Sequence, residues 1–386
     1  MSISEELISL NNKLHEPGEK VINFVLMNTD TSVLSFRYVQ ESPIEFYYEE
    51  IETFDGILPL GFVDVESWLN RRKAPKHRKH IKRLSEELGC TTLVGYIKLT
   101  HAVSLNDTYW VKHVDEDISW RDISPYTNDF SEVVAHYAFT GNLAGKHFSG
   151  TTPELSTDGA FPKCWVRDSG NIYLCKAGSE ENQGVEVLLE CCASMVYERL
   201  CKDSVRYTRG LVGDVQVSRC KLATSEEYGF ISIANYLNKD RVIVQELYEL
   251  YDNLGCAEKF RRLVIADAIV MNTDRHLGNI GLVVRNSTQE VVGMFPVFDF
   301  NKALLPDLTL EIYEDAGRYK QFLANQSPKI GTGFISVAKY FLNDTIKDDL
   351  VTLYEYLTQE GSDWPQEYRA GIAKELVCQN IKAILS

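Results

Sequence analysis

Met271-Asn272-Thr273-Asp274-Arg275-His276-Leu277-Gly278-Asn279-Ile280, followed by Pro296-Val297-Phe298-Asp299, is the stretch that decides this chain. An apolar run precedes it, residues 260–270 (FRRLVIADAIV), and reads as a buried helix. Asn272-Thr273-Asp274 ends that helix with residues that favour turns. Residues 281–285 (GLVVR) then read as a strand, 286–289 (NSTQ) as a turn and 291–298 as the returning strand. A hairpin brings the chain back to its start, so Asn279 and Asp299 are expected to share one coordination sphere. Those residue types in that order suit phosphoryl transfer. Asp274 would accept the proton of an attacking hydroxyl, while Asn279 and Asp299 would hold the magnesium that bridges nucleotide phosphates. Magnesium keeps phosphate oxygens and water in its shell, so one amide and one carboxylate suffice.

The nucleotide half is read upstream. Ser156-Thr157-Asp158-Gly159-Ala160-Phe161-Pro162-Lys163 leads into a strand. A glycine with small neighbours lets backbone N–H groups approach phosphate oxygens, and a lysine adds charge. It is not a Walker A loop. Strands at 163–166 and 172–176 flank Arg167-Asp168-Ser169-Gly170, a hairpin signal. Lys176 ends the second strand, where it would grip the α- and β-phosphates with a helix glutamate as partner. In the helix read over 185–200, Glu186 is the natural partner and Glu190, one turn later, the runner-up. Taken singly, Lys176 is equally a snorkelling strand-end lysine and Glu186 a solvated helix residue. Their order along the chain favours the nucleotide site.

The whole chain sets bounds. At 386 residues it holds one large or two ordinary domains. Its 44% hydrophobic and 25% charged residues match a globular protein, and its net charge of −15 argues against a generally basic nucleic-acid binder. No apolar run reaches membrane-span length, and MSISEELISL lacks the basic and apolar regions of a signal peptide. Nine cysteines without a Cys-x-x-Cys pair read as buried free thiols in a reducing cytoplasm, with no zinc site. The Gly/Ser/Thr-rich stretch 141–152 is the expected domain boundary. The expected fold class is α+β: residues 1–150 form an α+β N-terminal domain, and 151–386 a two-lobed, protein-kinase-like fold. Within it, 151–222 is a small β-rich nucleotide lobe and 223–386 a large helical catalytic lobe. The densely basic run 71–83 would bind nucleic acid or an acidic partner, or else form a solvated helix that neutralises the chain's own acidic surface. The second reading is favoured.

On the Ser156 to Lys163 loop, the Lys176 strand, the Asn272 to Asn279 loop and the Pro296 to Asp299 segment, about residues 150–385 resemble the HipA-like kinases. These are bacterial Ser/Thr kinases of toxin–antitoxin pairs. The resemblance implies ATP and Mg2+, with Asp274 as catalytic residue, Asn279 and Asp299 as metal ligands and Lys176 as the phosphate lysine. It places Asp158, Gly159, Ala160, Phe161, Pro162 and Lys163 in the phosphate-covering loop, and His276 near the nucleotide. It also makes Ser156 a site of self-phosphorylation. Residues 217–222, with Lys221, would form an adenine hinge through backbone groups. Implied partners are a protein substrate, such as an aminoacyl-tRNA synthetase or another translation factor, and an antitoxin, to which DNA binding normally falls. Two departures stand out. Gly278 occupies the place of a frequent lysine, and Phe300-Asn301 follows Asp299 where protein kinases carry Asp-Phe-Gly. Asn tolerates positive φ, so a similar turn is expected at Asn301. The first 150 residues match the family poorly apart from 104–112. Two other readings remain: a phosphoinositide-like lipid or small-molecule kinase, and a binding module that uses the basic run.

Overall fold

The chain was described as a computed structural model, which covers residues 20–42, 44–74, 91–131, 153–157 and 162–386, with Glu86 and Phe139. Among the described residues there are three sheets. The first runs β3-β2-β1-β4, from β1 (Lys20–Asn28), β2 (Thr31–Gln40), β3 (Phe46–Thr53) and β4 (Tyr109–His113). The second runs β5-β6-β8-β7, from β5 (Lys163–Asp168), β6 (Asn171–Ala177), β7 (Tyr207–Val212) and β8 (Val215–Lys221). The third runs β11-β10-β9, from β9 (Tyr228–Ser232), β10 (Gly281–Arg285) and β11 (Val291–Met294). Together with the helices they make the expected α+β fold. Among the described residues no helix is long and apolar enough to cross a membrane.

By internal contacts the chain divides into two compact units. One comprises Met1–Ile172, Thr224–Gly229 and Val284–Glu290. Its sheet is antiparallel throughout, and β1 and β2 are joined by a tight turn in which Thr29 takes φ 47°. Phe24 and Phe36 stack at 5.4 Å in its core. Helix α1 (Val65–Arg72) starts at Asp64, whose carboxylate accepts from the N–H of Ser67 at 2.7 Å, a side-chain N-cap. It stops at Lys73, which is extended, two residues before Pro75; proline restricts its neighbour in the same sense. Helix α2 (Leu93–Thr100) is capped by Thr92.

Arg72, the second residue of the basic run, is structural. Its guanidinium is buried, donates to both oxygens of Asp107 at 2.7 and 3.1 Å and to the carbonyls of Ala102 and Tyr109 at 2.8 and 2.9 Å, and covers the Trp68 ring. Residues 75–83 of the run lie outside the described residues.

The other unit comprises Tyr173–Ala223, Phe230–Val283 and Val291–Ser386. Its helices include α3 (Val185–Cys201), α4 (Ala257–Ile269), α5 (Phe334–Phe341), α6 (Asp344–Thr358) and α7 (Tyr368–Leu385). α4 is the run expected to be a buried helix, and Phe260, Leu263, Ile265, Ala266 and Ile269 are all buried. From Arg262 to Ile269 every residue is buried, as in a helix from the middle of a domain; α3, α5 and α7 pack on it. The returning strand is shorter than expected and ends at Met294, because Pro296 has no N–H to give a ladder. Beyond it Val297 makes an isolated bridge to Ser204. Among the described residues the cysteines are free thiols.

Arg72→Met is expected to cost about 3–5 kcal/mol, because it strands Asp107 beside the core, while exposed Arg71→Met should leave stability within about 0.5 kcal/mol. Urea unfolding of the two variants checks this.

Candidate functional site

An apolar strand delivers one lysine into the interior of the second unit. Lys176, 3% exposed, ion-pairs with Glu190 and lies 3.0 Å from Oδ1 of Asp299. Burial pulls its ammonium down, but Asp299 and Glu190 push it well above the ordinary lysine value, so the group is charged. The Tyr207 ring lies 4.6 Å beneath it. Glu190 also accepts from the Ser218 hydroxyl of β8 and from the Phe300 N–H at 3.2 Å. One buried carboxylate therefore joins α3, β6, β8 and the segment after Asp299.

The expected partner, Glu186, does something else. It accepts from the N–H and hydroxyl of Ser179 at 3.2 and 2.5 Å and from the Asn182 amide at 2.9 Å, which fastens the turn leading into α3. Position along the helix explains the correction. α3 begins at Val185, so Glu186 sits in its first turn, where a carboxylate is drawn to the donors around the helix N-terminus. Glu190, four residues on, shares its face and reaches Lys176.

The loop after α4 is organised by Arg275, which is 1% exposed. Its guanidinium pairs with Asp267 of α4 at 3.1 Å and donates to the carbonyls of Asn279 at 2.8 Å and Phe298 at 2.6 Å. Burial works against its charge, while Asp267 and the Tyr197 hydroxyl hold it above the ordinary arginine value. The two tied carbonyls belong to Asn279 itself and to the neighbour of Asp299. One side chain thus ties the backbones of these two segments together. Asn272 accepts from the Asp274 N–H at 3.1 Å, and the Asn279 amide nitrogen donates to the Asp274 carbonyl at 3.1 Å. That bond leaves the Asn279 amide oxygen as the end that can meet a cation.

Asp299 is left-handed, with φ 61°, and its N–H donates to the Tyr207 hydroxyl at 3.2 Å. The positive φ expected at Asn301 falls here instead. The chain must turn at Asp299 for Phe300 to bond Glu190 and to stack on Tyr197 at 4.0 Å. His276 Nδ1 accepts from the Gly278 N–H at 3.0 Å. A Cβ at Gly278 would lie 2.7 Å from that ring, so the glycine has a local cause.

Lys221, at the exposed end of β8, pairs with Tyr173. The hinge expectation for 217–220 needs correction: β8 lies between β6 and β7, so those backbone groups already serve two ladders. Of the expected phosphate-covering loop, Asp158, Gly159, Ala160 and Phe161 lie outside the described residues. Pro162 precedes β5, and Lys163, its first residue, is buried in the first unit. Ser156, also in the first unit, is buried with its hydroxyl 2.6 Å from that of Tyr96.

One residue had no signal in the sequence. Lys329, in the loop before α5, ion-pairs with Oδ1 of Asp274. Among the described residues no three His, Cys, Asp or Glu side chains gather as metal ligands. Asn279 and Asp299 nevertheless suit a magnesium ion that is held jointly with phosphate oxygens.

No family model matches the chain, and no curated protein matches it. Solved structures do. The Helicobacter pylori proinflammatory kinase CtkA is similar at 14% identity and a TM-score of 0.46, over 58% of this chain and 92% of that one. A chain of the Shewanella oneidensis MR-1 toxin–antitoxin complex of HipA, HipB and operator DNA is similar at 10% identity and a TM-score of 0.49, over 93% and 96%. The contacts join Lys176, Glu190 and Asp299 in one buried cluster, with Asp274 and Asn279 hydrogen-bonded to each other on one loop.

Glu190→Gln is expected to destabilise the fold by about 3 kcal/mol, since it leaves Lys176 short of a buried partner. Glu186→Gln keeps an acceptor for Ser179 and Asn182 and should cost no more than about 1 kcal/mol. Chemical denaturation of both variants tests the assignment; an inverted order would overturn it.

Proposed function

We propose that the chain is an ATP- and Mg2+-dependent protein kinase of the HipA kind, which transfers a phosphoryl group to Ser or Thr hydroxyls. The observation that supports this most is the double tie of Arg275, which joins the backbone of Asn279 to that of Phe298, beside Asp299. Lys176, held by Glu190, lies on the same Asp299. Lys176 grips the α- and β-phosphates. Asn279 and Asp299 hold Mg2+, which would neutralise charge on the phosphates. Asp274 orients the acceptor hydroxyl and takes its proton. His276 lies beside the nucleotide, and Lys221 begins the hinge. Residues 151–386 act as the kinase domain.

The acceptor is a protein, an aminoacyl-tRNA synthetase or another translation factor by analogy with the family, and an antitoxin is the natural partner. The S. oneidensis complex contains HipB. Self-phosphorylation at Ser156 requires its turn to leave Tyr96 first, because the hydroxyl is buried there.

Asp274→Asn should lower transfer from labelled ATP by at least about 10³-fold, as expected when an essential group is lost, with no fall in melting temperature beyond a few degrees. Retained transfer would sink the role. MgATP at a hundred times its Kd should stabilise the wild type by about 2.7 kcal/mol. Asp299→Asn should remove the magnesium dependence of that stabilisation. Peptide and phosphoinositide acceptors tried side by side decide the substrate class, and transfer to lipid alone would count against a protein kinase.

A further inference from the structure

We infer that Lys329 is a catalytic residue of this site, which leaves Asp274 when nucleotide and acceptor bind and contacts the phosphoryl group in transfer. The inference rests on the kinase reading above. Its starting point is the ion pair between the Lys329 ammonium and Oδ1 of Asp274. The backbone that carries the lysine is anchored: Pro328 and Ile330 line one small cavity with Asp267, Asn272 and Arg275, under the catalytic loop. Gly331 takes φ 90°, and a Cβ there would fall 2.5 Å from Val337 of α5, so the loop turns tightly against that helix. The side chain is different. It is 50% exposed, against 4% for Lys176, so it can swing while its loop stays fixed.

Charge gives the lysine its task. Between Asp274 and Asn279 the loop carries Arg275, His276, Leu277 and Gly278. Arg275 is committed to Asp267 and two carbonyls, so the catalytic loop itself offers the phosphoryl no mobile cation. A hydroxyl that gives its proton to Asp274 lies about 2.6–3.2 Å from that carboxylate. A cation touching the carboxylate is then a short swing from the phosphoryl oxygens. In the step the acceptor oxygen bonds to the γ-phosphorus and the bond from that phosphorus to the β,γ-bridging oxygen breaks. Its electron pair leaves with ADP, and the hydroxyl proton passes to Asp274. The carboxylate loses its charge in the step, so nothing draws Lys329 back from the phosphoryl oxygens. Preorganised charge at that place is what stabilises phosphoryl transfer.

The test uses the full chain with MgATP and a mixed Ser/Thr peptide library, comparing wild type with Lys329→Met, Lys329→Arg and Asp274→Asn. Lys329→Met should lower kcat by about 10²–10³-fold, with the Kd for MgATP within about threefold and an unchanged melting temperature. Lys329→Arg should recover the rate to within about tenfold. An unchanged rate in Lys329→Met would reduce the contact to a surface ion pair, and a faster one would make Lys329 a mask over the base; either overturns the inference. A wild type that transfers nothing from MgATP removes the kinase reading itself, and this inference with it.

Discussion

Everything in the candidate site depends on a buried guanidinium. Arg275 reaches one carboxylate on α4 and two carbonyls on separate segments, and a planar group with a fixed fork of donors suits three such acceptors where a lysine would not. The cost of burying its charge is offset by Asp267, with Tyr197 and Asn272 bonded to that carboxylate in turn. The catalytic loop is thus irregular backbone with a regular support.

Beside that support lies a second network. Glu190 binds Lys176, Ser218 and Phe300, and Phe300 fills the space between Tyr197 and Tyr207. The two networks share Tyr197, which touches Asp267 through its hydroxyl and Phe300 through its ring. A disturbance at the Asp299–Phe300 segment is therefore felt at the base of the loop after α4 without any long path.

Much of this was legible in sequence, and the reasons are particular. α4 announces itself because burial on all sides leaves an apolar run, and the β5–β6 turn does so because Ser169 and Gly170 both need positive φ, at 50° and 76°. Asp274, Asn279 and Asp299 could be named from residue type and order. Glu190 over Glu186 could not, since the two share one helix face and the choice depends on where α3 starts, which puts Glu186 in the first turn. Arg275 reads in sequence as one more charged loop residue; its role comes from carbonyls contributed by the fold. Helix α2 and strands β7 and β9 are short, and their patterns carry little period. Lys329 lies 55 residues from its partner, and local pattern cannot reach that far.

The close approach of Gly278 to His276 makes two positions answer to each other. A side chain at 278 must displace the imidazole, and a displaced imidazole no longer accepts from the 278 N–H. Substitutions at the two positions are therefore coupled, and the effect of one depends on which residue stands at the other.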